Sequence, residues 1–289
     1  MTAGDDIADR IKTIREVFLL GQKKAEACKN FSALATMLDE CGLEFRSVAY
    51  EGASMALALG CIDNGDDLTP WYEFKNGIAF KHSSQVHAGL GWALAQRRIS
   101  PSEILLSVSP LMKFRILDGW GYYDGIFRQR AAILSRILPE EITGMDQYGY
   151  DQGIGRAIYY QCKGEGRKIH ELISSFPEAR RGDLWRGTGI ACVYVGGCDE
   201  KKLQELYTLS ATYSSQLAVG AALVACARSD ADAMTAYVEP ACNAWCNASA
   251  ADVIQLTLKT DALIMKDAGE GKEWIAAMAE LFAPINSRS

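Results

Sequence analysis

The sequence predicts an all-α protein, stacked helical hairpins of a helical-repeat-like kind in a single extended domain, residues 1–289. Two observations carry that expectation. A core of small residue, any residue, small residue, any residue, small residue recurs six times. The copies are Gly52-Ala53-Ser54-Met55-Ala56, Gly89-Leu90-Gly91-Trp92-Ala93, a looser Gly121-Tyr122-Tyr123-Asp124-Gly125, Gly153-Ile154-Gly155-Arg156-Ala157, Gly187-Thr188-Gly189-Ile190-Ala191 and Ala218-Val219-Gly220-Ala221-Ala222. Their starts lie 37, 32, 32, 34 and 31 residues apart, a period that marks units burying their apolar faces only against their neighbours. In a helix, moreover, the first and last small residues of each copy fall at i and i+4 on one face, where missing side chains let another backbone come close.

Each element follows in order. Residues 5–29 read as an amphipathic helix with Ile7, Ile11, Ile14, Phe18 and Ala25 on one face. Phe31 to Leu38 forms a second, ending near Cys41-Gly42, where glycine can take the left-handed conformation that terminates helices. The run from Phe45 to Leu59 is apolar nearly all round and belongs inside. Asp63 to Pro70 is turn chemistry, and Gln85 to Gln96 is the next small-residue helix. Asp118 to Phe127 sets three glycines among four aromatic rings and two carboxylates. Each glycine costs a helix about 1 kcal/mol against alanine, so a broken or irregular helix is expected here. Met145 to Arg156 repeats that recipe and adds an arginine, with Asp151 at the expected helix start as a cap. Gly164 to Lys168 is a surface turn, Arg180 opens a helix that Gly196-Gly197 closes, and Asp199–Leu209 with Ser215–Ala227 make a further hairpin. Residues 1–44 and 228–289 supply capping helices around about six repeats.

Composition narrows the function. Hydrophobic residues make up 49% and charged residues 23%, ordinary for a soluble protein. No run of some 18 uncharged apolar residues is evident, so no membrane span is expected. An acidic start unlike a signal peptide puts the chain in the cytoplasm. The net charge of −6 argues against nucleic acid as partner. Nine scattered cysteines read as reduced. Cys242 and Cys246 lie one turn apart, but with three histidines in the chain no metal site and no cofactor are expected. Gly153-Ile154-Gly155 lacks the preceding strand and third glycine of a dinucleotide loop.

Stacking brings corresponding positions side by side, so residues flanking the small cores should converge. The candidate acid–base groups are Glu51, Asp118, Asp124, Asp151 and Asp183. The candidate substrate-binding residues are Tyr50, His87, Trp92, Trp120, Tyr123, Tyr150, Gln152, Arg156, Trp185 and Arg186. Aromatic walls with few carboxylates suit an apolar, unsaturated ligand held beside a proton donor, and a carboxyl buried against rings has its pKa raised. A purely structural alternative is that Asp151 with Arg156, and Asp183 with Arg186, are salt bridges fixing helix ends.

At these residues the chain resembles a known family. Val48 to Ala56, Gly89 to Ala95, Asp118-Gly119-Trp120-Gly121, Asp151 to Arg156, and Arg180 to Trp185 with Gly196-Gly197 resemble, in order, the bacterial proteins of unknown function called enediyne biosynthesis proteins. The likeness covers roughly residues 45–200, and its matching positions are Glu51, Asp118, Asp151, Gln152, Arg156, Asp183 and Trp185. It implies a role in making a secondary metabolite from a polyketide-derived polyene. The chain departs from the resembled pattern at Tyr123-Asp124, where a histidine is usual, and at Trp120, where tyrosine is usual. The expected function is a cofactor-independent acid–base cyclase or isomerase acting on a polyene or isoprenoid. The alternative is a non-catalytic helical scaffold gripping a synthase or carrier protein. Either is open to a homo-oligomer.

Overall fold

The computed structural model describes residues 6–65, 67–266 and 271–283. Its architecture follows from one local fact: residues i and i+2 of a helix lie about 200° apart, so two small residues at that spacing open opposite faces. Seven long helices pack in series, four of them with both glycines of such a pair and three with one. They are α1 (Ile7–Ala27), α3 (Arg46–Asp63), α5 (Ser83–Arg97), α7 (Pro110–Phe127), α8 (Asp146–Gln161), α10 (Glu178–Val195) and α12 (Ser214–Asp230).

The first small residue of each pair faces the preceding helix. Gly52 sits against the carbonyl of Phe18, Gly89 against Glu51, Gly119 against Ala88, Gly153 against Asp118, Gly187 against Gln152 and Gly220 against Arg186. The second faces the following helix, where Gly91 meets Ile116, Gly121 meets Tyr150, Gly155 meets Leu184 and Gly189 meets Leu217. A methyl group at any of these positions would overlap the opposing carbonyl. Backbones this close gain dispersion and Cα–H···O contacts. Numbers fall on one helix as they rise on its neighbour, 18 with 52 and 21 with 49, so adjacent helices run antiparallel.

The fold class is as expected: all-α, with no strand among the described residues. Three details differ. The small pair that works is i and i+2 on opposite faces, not i and i+4 on one face. The third copy accordingly begins at Gly119, two residues before the looser motif. And α7 is one continuous helix rather than a broken one, because close packing on α5 and α8 offsets what its glycines cost. Elsewhere α2 (Phe31–Asp39) ends before Gly42, which is not left-handed, whereas Gly196 and Gly197 are, at φ 72° and 79°.

Short helices α4 (Thr69–Asn76), α6 (Ser102–Leu106), α9 (Gly166–Ser174) and α11 (Glu200–Ser210) carry the chain from one long helix to the next. The series then closes on itself. Arg10 of α1 donates Nε–H to the Val195 carbonyl at the end of α10 (2.5 Å) and pairs with Glu44. From the end of α12, Arg228 donates to the Glu44 carbonyl beside the start of α3. Helices α13 (Val238–Cys246), α14 (Ala250–Lys266) and α15 (Gly271–Leu281) pack on α12. Residues 200–230 alone among those described are long and apolar enough to cross a bilayer, and 61% of their most apolar window is buried within the fold, where α10, α13, α14 and α15 cover α12.

Candidate functional site

Counting from the first glycine of each pair, positions four and one before it and three and seven after it fall on a single helix face. In the ring of α3, α5, α7, α8, α10 and α12 this face turns inward. A cavity of about 20 Å³ lies there, room for a water molecule or a comparably small polar group. All six helices line it: Glu51 from α3, Gln85 and Ala88 from α5, Arg115 from α7, Arg156 from α8, Ile190 and Tyr194 from α10, Leu223 and Ala227 from α12.

Charged side chains at these positions join into one buried network. Arg156 donates Nη1–H to Asp118 and lies 4.0 Å from Glu51. Gln152 also donates to Asp118, and its own carbonyl accepts from Arg186 Nε at 2.7 Å. Arg186 reaches Asp183 at 2.6 Å and Gln216 at 2.9 Å. Burial pushes the Glu51 carboxyl up to about 7, against the pull of Arg156 and with Asp118 adding to the rise. Burial likewise lifts Asp183 to about 6, opposed by Arg186. A carboxyl titrating near neutrality inside a cavity is the condition general acid–base catalysis requires.

Glu51 makes stability pH-dependent in a stated direction. Its folded pKa stands above its unfolded one, so its contribution is complete below about pH 4 and is lost as pH rises through 7. Glu51→Gln, which mimics the protonated form, is therefore expected to gain stability over the parent between pH 5 and pH 8, by up to about 3 kcal/mol. Denaturant melts at the two pH values check it, and an effect of Glu51→Gln that is the same at both contradicts it.

The structure brings together six of the residues singled out from sequence: Glu51, Asp118, Gln152, Arg156, Asp183 and Arg186. The others lie elsewhere. Asp151 sits in the second turn of α8, not at its start, and pairs with Arg180 at both oxygens rather than with Arg156. Asp124 is tied to Arg98 at 3.2 Å and accepts from the Tyr150 hydroxyl at 3.3 Å. Tyr50 stacks on His82, their ring centroids 4.0 Å apart. The ring of His87, held neutral by burial with a pKa near 4, bonds the Ser83 carbonyl at 2.7 Å. Trp92 turns its N–H toward Glu51 without completing a hydrogen bond and packs on Phe18, Tyr122, Tyr123 and Phe127. Trp120, Tyr150 and Trp185 are fully packed in the core and do not line the cavity.

Among the cavity residues that the sequence does not single out are Gln85, Arg115 and Tyr194. They sit four before Gly89, four before Gly119 and seven after Gly187. The signal that finds them is the repeat register once it is set on the i, i+2 pairs.

Over residues 2–275 the sequence matches the profile of a family described as Protein of unknown function (DUF1702), and the chain belongs to that family. No curated protein and no solved structure matches it.

Proposed function

We propose that this member of the DUF1702 family is an acid–base enzyme of natural-product assembly, acting in the cytoplasm, with Glu51 as its proton-transferring group. The observation that carries the reading is a carboxyl poised near pH 7 beside Arg156 in a cavity enclosed by six helices. Glu51 is a better proton donor than the aspartates, because Asp118, Asp124, Asp151 and Asp183 each contact an arginine at 3.2 Å or less, whereas Arg156 stands 4.0 Å from Glu51. In a protonation step the Glu51 O–H gives its proton to the substrate, and Arg156 steadies the carboxylate left behind. The motif resemblance supports a polyene substrate, with an isoprenoid as the other unsaturated chain, and cyclisation or isomerisation is chemistry that a carboxyl beside an arginine can carry out without a redox cofactor. Such a chain is far larger than the cavity, so only its reacting end would enter.

The test is incubation of purified protein with a panel of polyenes and isoprenoids followed by mass spectrometry. Turnover in the parent that Glu51→Gln abolishes, and Asp151→Asn leaves in place, is the expected pattern. Turnover unaltered in Glu51→Gln removes Glu51 from the mechanism. One observation favours a second reading: Trp120, Tyr150 and Trp185 are packed solid instead of walling a binding chamber. A helical scaffold for a synthase or carrier protein fits that packing, and no turnover with any substrate shifts the weight to it.

A further inference from the structure

Burying a guanidinium that no carboxylate touches is expensive, and the cavity contains one, on which Asp118 and Asp230 act only from beyond 4.0 Å. Arg115 is 7% exposed. Its Nη2 makes a single long hydrogen bond, 3.4 Å, to the Leu223 carbonyl, and its Nε has no partner. Among the described residues no carboxylate comes within 4.0 Å of it, whereas the buried arginines Arg10, Arg180 and Arg186 each pair with one and Arg228, which has none, is held by two backbone carbonyls and the Tyr194 ring. Two further cavity groups are unpartnered. The Tyr194 hydroxyl approaches Ser47 without completing a hydrogen bond, and the Gln85 Oε1 accepts none. Buried polar groups are normally satisfied, and a buried charge whose counter-charges stand off is compensated only in part. A water molecule would supply Arg115 with an acceptor but no charge.

We propose that the cavity is the recognition site for a small aliphatic carboxylate, which pairs with Arg115 and accepts from the Tyr194 hydroxyl. The planar guanidinium fork matches two carboxylate oxygens. On the other side Ala88, Ile190, Leu223, Val224 and Ala227 form an apolar wall, which suits the carbon side of a carboxylate group. This deepens the reading above, naming the chemistry at the end of the substrate that enters, and it places that end next to Glu51 and Arg156.

Binding tests it without turnover. Isothermal titration of the full chain with formate, acetate and butyrate, against chloride and sulfate, is expected to show carboxylate binding that weakens as the alkyl chain lengthens, and little binding of the inorganic anions. Arg115→Met is expected to weaken acetate at least about tenfold, and Tyr194→Phe several-fold. Should Arg115→Met fail to fold, Tyr194→Phe and the ion series on the parent still decide. No carboxylate binding to the parent, chloride binding as tightly as acetate, or undiminished acetate binding in folded Arg115→Met or Tyr194→Phe each overturns the proposal. Loss of turnover in Glu51→Gln is a separate readout, so either idea can fail alone.

Discussion

Gly155→Ala is expected to lower the melting temperature by about 5 °C or more, while Gly60→Ala raises it. Both glycines lie inside helices, α8 and α3, so each substitution gains up to about 1 kcal/mol of helix propensity. They differ in what a methyl group meets. At Gly60 it meets nothing within 4 Å, whereas at Gly155 it collides with the Leu184 carbonyl and α carbon of the next helix. Backbone cannot rotate aside as a side chain can, so α8 and α10 must separate. Overpacking of that kind costs about 3 kcal/mol or more, and for a chain of this size each kcal/mol moves the midpoint by roughly 2–4 °C. Thermal melts of the two variants beside the parent check it. Two variants that shift alike would mean that the paired glycines are not what sets the distance between the helices.

The same contrast explains how much was legible in the residues. Glycine and alanine at a steady period declare close helix packing, and the interval of about 33 residues declares one long helix per unit; both survive in the fold. What the spacing alone hid was direction. From a linear pattern, i and i+4 look like the natural partners, but a helix in a ring has neighbours on two sides. The two-sided requirement selects i and i+2. A register set on the i, i+4 pair displaces the inward face, hiding Arg115 and Tyr194 and turning Trp120 and Tyr150 into apparent walls. Glu51, Asp118, Gln152 and Arg156 were found because they touch the glycines directly in sequence, at the positions one before and three after. Arg98 and Arg180 claim Asp124 and Asp151 from 26 and 29 residues away, a partnership that only the folded chain reveals.

Arg156→Met tests the chemistry of the centre, with an expected loss of about 3–5 kcal/mol at pH 8, since removing one member of a buried ion pair strands the other. Arg156 holds Asp118 directly and is the strongest restraint on the rise of Glu51. Without it the folded pKa of Glu51 moves higher still. A group raised in the folded state contributes fully at low pH and loses that contribution as pH climbs through the folded pKa. The deficit of the variant should therefore shrink between pH 8 and pH 5, and Glu51→Gln in the same chain should restore part of it at pH 8. A double-mutant cycle at both pH values measures the coupling. If the deficit is independent of pH and untouched by Glu51→Gln, the 4.0 Å approach of the two groups carries no energy, and Arg156 cannot be what stabilises Glu51 once its proton has gone. If the coupling appears at pH 8 and fades by pH 5, the centre of the ring holds a carboxyl whose charge is governed by one arginine, and substrate binding near Arg156 would then control when Glu51 gives up its proton.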